Sequence, residues 1–552
     1  MNDVSLRRLQ QLLIKYEAGK TYHLSIDELE IALSTSRRNT SNILKSLSEI
    51  GWISWLPSKG RGKLSQFKIL HNLQGALEQI FYKELEQGRF SCISRLMELY
   101  GHLAVKAMAE ATATRASANE RCDSLLITEY PWVDTLEPAK TYRIAEMQVI
   151  SSIYSTLLVQ DESGRIQAGL AHCWKVEGRF IHLWLRQGIV CHDGENLEAT
   201  DVAECLNKLK ITDGPVKYLF EQVVEIRILG AGQVTIELQQ PNALFLHVLC
   251  LVHASIYRLK SAYFSSGLST YIGSGPFYLK DWDRERLVLK RHRNYYAQSA
   301  LLDKITLSSS SELSDFSISF NKDGDCEEST INALSYLAIN TRPDAGISRN
   351  DLLELVEYLR RCRANLDSET VVNDVGFAPC FDSASDDAPP CLSGHLVLTM
   401  PRLTIPCLQK IDEWIQSTIL ETGLTLEILE LEDISNPSSV SGHADILFIE
   451  EVIEQPEEFG LYDWLLASSG LKFIYDQTEM DVHYEQVKHA MSDILYVYSL
   501  RKIEQALYDN NLLLPLFHGK EKISRSLEVH GVETNKSGLS EFYKLWIDKE
   551  KQ

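Results

Sequence analysis

The chain has 552 residues, of which 44% are hydrophobic and 24% are charged. These values are ordinary for globular proteins, so they favour a folded core over disorder, and the length favours two to four domains. A net charge of −21 excludes nucleic-acid binding over the whole surface.

The charge is distributed unevenly along the chain. Residues 1–70 contain eleven Lys/Arg and six Asp/Glu, a net charge of +5. The other 482 residues contain 44 Lys/Arg and 70 Asp/Glu, a net charge of −26. A small basic head on a large acidic body binds phosphates locally, while the body stays soluble and repels non-specific contacts.

The first residues lack the apolar core of a secretion signal, since their longest apolar run is Leu12-Leu13-Ile14. No window reaches 18 apolar residues, the length that a membrane-spanning helix requires. Eleven cysteines are scattered from Cys92 to Cys407 without a C-x-x-C pair. We therefore expect a cytoplasmic protein with reduced thiols and no contact with a membrane.

The basic head begins with a helix-start signal at Ser25. The sequence Ser25-Ile26-Asp27-Glu28 has the S-x-x-E form of a capping box, in which Ser25 and Glu28 satisfy each other's backbone amides. Apolar residues then recur at helical spacing at Ile26, Leu29, Ala32 and Leu33. This pattern predicts a helix that ends near Ser34-Thr35.

A second helix is predicted from about Ser36, in SRRNTSNILKSLSEIGW. Its predicted apolar stripe contains Ile43, Leu47 and Ile50, with Leu44 on the flank. Two short helices joined by a tight turn form a helix-turn-helix. Arginine typically reads guanine, asparagine reads adenine, and serine and lysine contact bases or phosphates. The predicted DNA-contacting residues of this helix are Arg37, Arg38, Ser41, Asn42 and Lys45.

A β-hairpin is predicted next, because two runs rich in aromatic and β-branched residues, 52–56 and 64–69, flank a glycine-rich turn. The turn contains Lys59, Arg61 and Lys63, which would neutralise phosphates of the DNA backbone. Residues 1–72 are thus predicted to form an α+β winged helix-turn-helix. The alternative is a head with the same fold that contacts only protein.

Residues 73–122 are predicted to form a connector of two or three helices, interrupted at Gly88 and Gly101. Their apolar stripe would pack inside the molecule or form the seam of a homodimer, since helix-turn-helix proteins commonly bind two half-sites. From Asp123 onward strands alternate with helices, which indicates an α/β body. We expect a strand at 125–127, a helix at 144–158 and a β-α-β unit at 396–449.

The body resembles the family-5 extracellular solute-binding proteins of ABC importers. The resemblance covers roughly residues 125–552. It rests on Leu170-Ala171, Trp174, Leu185-Arg186, Gly188, His192-Asp193-Gly194, Asp201-Val202, the block 272–279 (IGSGPFYL), and Leu514-Pro515-Leu516-Phe517-His518. It implies that residues 123–552 form a two-lobed α/β domain like the type II periplasmic binding proteins.

The combination of this body with the head, which contains SRRNTSNILKSL and GRGK, is similar to the SgrR family of sugar-phosphate-stress regulators. The resemblance implies a cytoplasmic activator that binds promoter DNA, senses a sugar phosphate or a peptide-like ligand, and controls a small regulatory RNA or sugar-handling genes. It implies no cofactor. The family's cleft segments fall on Trp132, Tyr154, Ser274 and Arg342, and an arginine can hold a phosphate bidentately.

Enzyme motifs are absent from the sequence, which has no H-E-x-x-H, Walker loop or G-x-S-x-G. His192-Asp193 is a conceivable acid–base pair, but in the resembled family these residues belong to a structural turn. We therefore expect no catalytic residue and no metal site. Two other hypotheses remain: a binding protein whose head contacts protein, and an enzyme on the binding-protein scaffold.

Overall fold

The fold was analysed in a computed structural model of the chain. The structure describes residues 2–58, 64–86, 90–119, 123–161, 163–230, 232–258, 272–310, 314, 316–320, 327–366, 369–380, 384–385, 387–403, 405–434, 436–532 and 541–548. The chain divides into two compact units at Cys122–Asp123. We refer to them as the head and the body.

Among its described residues, the head contains a three-stranded antiparallel sheet in the order β1-β3-β2 and five helices. In chain order its elements are α1 (Asn2–Leu13), β1 (Thr21–Leu24), α2 (Ile26–Leu33), α3 (Arg37–Glu49), β2 (Ile53–Leu56), β3 (Ser65–Ile69), α4 (Leu73–Glu86) and α5 (Phe90–Asn119). The predicted helix-turn-helix and the hairpin strands are present, so the winged-helix fold is confirmed.

Local sequence explains the start and end of α2. The Ser25 hydroxyl accepts from the Glu28 amide at 3.3 Å, and the Glu28 carboxylate accepts from the Ser25 amide at 2.8 Å, as the capping box predicts. Ser34 ends the helix in the left-handed region, with φ of 47°. This reversal of the backbone allows α3 to begin three residues later.

The apolar stripe of α3 differs from the prediction. Thr40, Leu44 and Leu47 are buried, whereas Ile50 is 44% exposed. The helix ends at Glu49, so the Ile50 side chain lies beyond the last turn and leaves the stripe, and Leu44 takes the central position. Sequence analysis also missed α1 and β1, although the buried Leu6, Leu9 and Leu12 of α1 recur at helical spacing.

The connector helices share the core of the head. Ala76, Leu77 and Phe81 of α4 belong to one buried cluster with Leu44 and Phe67. Helix α5 is kinked at Gly101, whose φ is 51°, so residues 73–119 contain three helical segments. The separation of residues 1–72 from 73–122 remains a prediction about domain boundaries.

The body contains eighteen strands and eleven helices among the described residues. In its first part they are β4 (Ser124–Thr128), α6 (Ile144–Ile153), β5 (Leu158–Gln160), β6 (Ile166–Ala168), β7 (Ala171–Glu177), β8 (Phe180–Leu185), α7 (Ala199–Ile211), α8 (Lys217–Glu221), β9 (Val223–Leu229), β10 (Gln233–Leu238), α9 (Phe245–Val248), β11 (Phe277–Trp282), β12 (Arg286–Arg291), β13 (Lys304–Ser308), β14 (Ser317–Phe320) and β15 (Glu327–Ile339). In its second part they are α10 (Arg349–Cys362), β16 (His395–Pro401), α11 (Pro406–Glu421), β17 (Thr425–Leu431), α12 (Ser438–Ser441), β18 (Ile446–Val452), α13 (Glu457–Ala467), α14 (Ser469–Ile474), α15 (Gln477–Ala490), α16 (Tyr496–Asp509), β19 (Leu513–Arg525), β20 (Val529–His530) and β21 (Trp546–Ile547).

A ten-stranded mixed sheet runs through the body in the order β11-β12-β13-β4-β14-β19-β15-β18-β16-β17. Residues 123–330 and 520–548 form lobe I, which also contains the antiparallel sheet β7-β8-β10-β9. Residues 333–518 form lobe II, where β16 lies parallel to both β17 and β18. These two lobes confirm the expected α/β architecture of the periplasmic-binding-protein type.

Two long strands connect the lobes. Strands β15 and β19 each have 13 residues and pair antiparallel, with register shifts between Thr330 and Leu334 and between Ser335 and Tyr336. Gly519 lies at this crossing, where an added Cβ would lie 2.7 Å from the Cβ of Ala333. The lobes are therefore hinged on two closely packed backbones.

Of two elements predicted for the body, one is confirmed and the other is shorter than predicted. The β-α-β unit is confirmed as β16, α11, β17 and β18. The predicted helix 144–158 is too long, because α6 ends at Ile153 and Leu158 begins β5. Tyr154 is extended at the helix end, and Ser155 bridges to Ile256, so the chain joins a neighbouring segment instead of continuing the helix.

Replacing the fully buried Leu44 with alanine is expected to destabilise the head by about 2–5 kcal/mol, the usual effect of such a cavity. Urea titration with hydrogen exchange measured at residues 26–49 would test this. Ile50→Ala is the matched control and should change the stability by less than about 0.5 kcal/mol, because this side chain is exposed. An equal loss in both variants would contradict the placement of α3.

Candidate nucleic-acid interface and ligand cleft

The outer face of α3 presents all five residues that sequence analysis singled out on this helix. Arg37, Arg38, Ser41, Asn42 and Lys45 are exposed. The side chains of Arg37 and Lys45 are 67% and 77% exposed. Because Leu44 and Leu47 bury the opposite side against the head, the helix is fixed with its polar face outward.

Two weak ion pairs hold the cations of this face. Arg37 contacts Asp27 of α2 at 3.1 Å, and Lys45 lies 3.9 Å from Glu49 on its own helix. Exposed pairs of this kind contribute about 0–1 kcal/mol. Both side chains therefore remain available to a polyanion. The predicted phosphate-contacting residues of the hairpin turn, Lys59, Arg61 and Lys63, lie outside the described residues.

The candidate cleft of the body lies where the parallel strands of lobe II end. Ligands of open α/β sheets bind outside the carboxyl ends of the strands, here Pro401, Leu431 and Val452. At this edge the Glu451 carboxylate accepts from the Tyr336 hydroxyl and from the Ser469 amide, both at 2.6 Å. The network fixes the start of α14 against β15 and β18.

Three further carboxyl groups make this edge acidic. Burial raises the pKa of Glu454 to about 7 and, with the Glu369 charge, also raises the pKa of Glu450 to about 7. The pKa of Asp463 lies well above its usual range because of burial, with the charges of Glu454 and Glu451 adding to the effect. Because these pKa values are raised, the three groups are partly or wholly protonated near pH 7, and a nearby cation would favour their ionised form.

Lobe I faces this edge through the segment that follows β4. The buried carboxylate of Glu146 organises that segment, since it accepts from the amides of Asp134 and Thr135 and from the Thr141 hydroxyl, all within 3.1 Å. The neighbouring Tyr142 contacts Lys472 of lobe II, whose ammonium donates to its hydroxyl at 3.1 Å. The two sides of the cleft therefore touch directly.

The four residues expected to contact ligand do not form one site. Trp132 is 36% exposed and donates to Asp134 at 2.6 Å, in the segment after β4. Tyr154 is buried against the ring of Tyr257. Ser274 is fully buried, with no hydrogen-bond partner for its hydroxyl among the described residues.

Arg342 lies at the other end of lobe II. It binds the buried Asp445 through two hydrogen bonds, of 2.7 and 3.1 Å, beside the amino ends of β16 and β18. It lines an open groove of about 600 Å³ with His395, Glu427 and His443. Because Asp445 already occupies its guanidinium, ligand contact by Arg342, as by the other three, remains a prediction.

His192 and Asp193 take part in contacts that hold the chain together. The Gly273 amide donates to His192 Nδ1 at 3.2 Å, and Asp193 binds the guanidinium of Arg258 at 2.9 Å. The described part of the chain contains no group of three or more His, Cys, Asp or Glu residues suited to a metal. In the same part, no helix is long and apolar enough to span a membrane.

Sequence analysis missed the cleft residues Tyr142, Glu451, Glu454, Asp463 and Lys472. A signal for the acidic ones was present, because the apolar run Ile446–Ile449 is followed at once by two glutamates. Polar side chains at the carboxyl end of a parallel strand mark the binding edge of such a sheet. No comparable signal marks Tyr142 and Lys472, which are 330 residues apart.

Family models match both units of the chain. Residues 6–120 match the N-terminal region of sugar transport-related sRNA regulators. Residues 165–350 match the middle region of the bacterial extracellular solute-binding proteins of family 5. The chain is similar to the SgrR regulators in its N-terminal region. It joins this region to a family-5 solute-binding fold.

The relatives agree with this SgrR-like architecture. The uncharacterized protein YhjP of Bacillus subtilis is 23% identical, over 97% of both chains. The HTH-type transcriptional regulators SgrR of Salmonella typhimurium and Escherichia coli K12 are 28% and 26% identical over 54% of this chain. The match spans about half the length of those SgrR proteins.

Solved structures show the fold of the SgrR-like body. The murein tripeptide binding protein MppA of Escherichia coli superposes with a TM-score of 0.62 at 16% identity, covering 78% of this chain and 99% of MppA. A dipeptide binding protein of Pseudoalteromonas, solved with Met-Leu, gives 0.63 at 15% identity, covering 77% of this chain and all of that protein. Both confirm the binding-protein fold.

The raised pKa of Glu454 predicts a stability effect that depends on pH. Its folded pKa of about 7 exceeds the usual 4.5, so ionisation destabilises the folded body as pH rises from about 4.5, and the effect is complete above about 7. Each pKa unit corresponds to about 1.4 kcal/mol, so Glu454→Gln should stabilise the body by about 3 kcal/mol at pH 8 and have little effect at pH 4.5.

Urea unfolding at the two pH values would measure this difference. Glu430→Gln is the control, because Glu430 is exposed on the edge strand β17. An equal stability of parent and Glu454→Gln at pH 8 would show that the carboxyl group is not buried at the cleft.

Proposed function

We propose that this protein is a DNA-binding transcriptional regulator whose body senses a small molecule. The observation that carries the proposal is the polar face of α3, which presents Arg38, Asn42 and Lys45 outward from a helix-turn-helix. Side chains of these types read base edges and phosphates in a major groove. The SgrR-like architecture supports the same role.

The ligand is proposed to bind between the lobes, where loops at the ends of strands meet. A sugar phosphate and a peptide-like molecule are the two classes that the family resemblance suggests. The acidic edge formed by Glu450, Glu451, Glu454 and Asp463 favours the class that carries an amine. A bound amine would favour the ionised form of the carboxyl groups whose pKa is raised, whereas a phosphate would favour their neutral form and gain no opposite charge there.

Sensing requires that the ligand bind one arrangement of the lobes better than another, because only differential affinity shifts the equilibrium. Movement about the crossing of β15 and β19 supplies two such arrangements. We propose that this movement alters the affinity of the head for DNA. Thermodynamic linkage then requires DNA to change ligand affinity by the same factor.

The proposal includes action in the cytoplasm, on sugar-stress or sugar-transport genes through promoter DNA, without catalysis. A homodimer is part of it, since two heads would bind two half-sites. The competing hypothesis is a binding protein whose head contacts another protein. The two hypotheses differ in whether the exposed cations of α3 change DNA affinity.

Changing Arg38, Asn42 and Lys45 together to alanine should reduce DNA affinity at least 100-fold, because each base contact contributes about 1–3 kcal/mol. Genomic fragments selected by the parent protein are the probe, and gel shifts at 50–200 mM salt are the measurement. The slope of log K against log salt should fall by about 2, for two lost cations.

A variant with Arg284 and Lys410 changed to alanine is the matched control. Like the α3 variant, it loses two positive charges, but from exposed positions of the body. It should keep the DNA affinity of the parent and the same slope of log K against log salt. If the α3 variant binds the selected fragments as tightly as this control, the head does not use α3 to bind DNA.

A further inference from the structure

A lysine of lobe II is partly buried against lobe I without an ionised partner in contact. The Lys472 ammonium donates to the Tyr142 hydroxyl and to the Gly214 carbonyl, both at 3.1 Å. No carboxylate of the described residues lies within 4.0 Å of it in an ion pair. We propose that Lys472 opposes closure of the two lobes, because closure transfers its charge from water to two neutral acceptors.

The position of Lys472 makes it part of the contact between the lobes. Helix α14 starts against the crossover strand β15, where the Gly470 amide donates to the Tyr336 hydroxyl at 3.1 Å. Gly470 has no space for a side chain, since an added Cβ would lie 2.5 Å from the Tyr336 ring. Two residues later Lys472 reaches lobe I, so its ammonium loses water when the lobes meet.

Two other contacts between lobe I and lobe II involve groups that can be buried at low cost when the lobes meet. The Tyr462 hydroxyl is bonded to the amides of Gln222 and Asn242, at 2.9 and 3.0 Å, and the rings of His247 and Phe459 stack at 5.3 Å. These groups are uncharged or apolar and bury at low cost when bonded. The ammonium of Lys472 differs because burial of a charge without a paired opposite charge is expensive.

The charged and titratable groups around Lys472 support the proposal that its ammonium opposes closure. Burial lowers its pKa to about 8; Asp213 and Glu451 favour the charged form, whereas Lys217 disfavours it. Burial raises the pKa of Tyr142 above its usual range, so that this acceptor stays neutral. Burial lowers the pKa of His253 to about 4, so the nearby imidazole is neutral as well.

The lowered pKa of Lys472 determines how the stability of the closed arrangement changes with pH. A lysine whose pKa is lower in the closed arrangement than in water releases its proton on closure. Raising the pH from about 8 toward 10 therefore stabilises the closed arrangement. Lys472→Met should also stabilise the closed arrangement, at pH 7, because methionine has a similar length and no charge.

Hydrogen exchange of the full chain tests the proposal. At pH 7 Lys472→Met should slow exchange roughly tenfold in segments 139–143, 212–216 and 469–475, since about 1.4 kcal/mol corresponds to a factor of ten. Exchange in β16 and α3 should not change. Lys502→Met is the matched control, because Lys502 is exposed on α16 of the same lobe, with its ammonium 4.5 Å from the centre of the Tyr498 ring.

Faster or unchanged exchange in those three segments would overturn the proposal, since it would mean that the ammonium stabilises the contact or has no effect on it. If Lys472→Met loses protection in β16 and has therefore not folded, the parent protein decides the question. Its exchange, divided by the intrinsic rate of each amide, should slow in the same segments between pH 7 and 9. Unchanged or faster exchange there would reject the proposal, whatever the head binds.

Discussion

The pairing of β15 with β19 determines the geometry of the body. These two strands belong to both lobes, so the position of lobe II against lobe I depends on how they cross. The acidic edge at the end of β18 and the segment after β4 face each other as a result. The position of the candidate cleft thus depends on one antiparallel pair of strands. Helices pack on either side of this pair.

Charged side chains have different surroundings in the head and in the body. The head exposes its cations on α3, where water screens them and a polyanion could replace that water. The body places carboxyl groups and a lysine where two surfaces meet, so that each charge has a desolvation cost. These costs lower the stability of the contact between the two lobes.

Local signals predicted much of the fold. The capping box at Ser25 and the β-α-β unit were correct because neighbouring residues determine them. The placement of Ile50 was wrong, since the helix ends one residue before it. The contact between Tyr142 and Lys472 could not be predicted, because residues 330 positions apart meet only through the complete sheet. The exposed polar face of α3 was predictable from helical periodicity alone, whereas the contacts at the cleft were not.

Gly519 gives the body a further property. At the crossing of the two long strands its missing side chain leaves room for Ala333, Ile331 and the Glu450 carboxylate. A larger residue at position 519 would therefore have to displace these side chains at the crossing. Substitutions in the surrounding loops leave this close approach unchanged, so those loops can diversify in sequence without altering how the two strands cross.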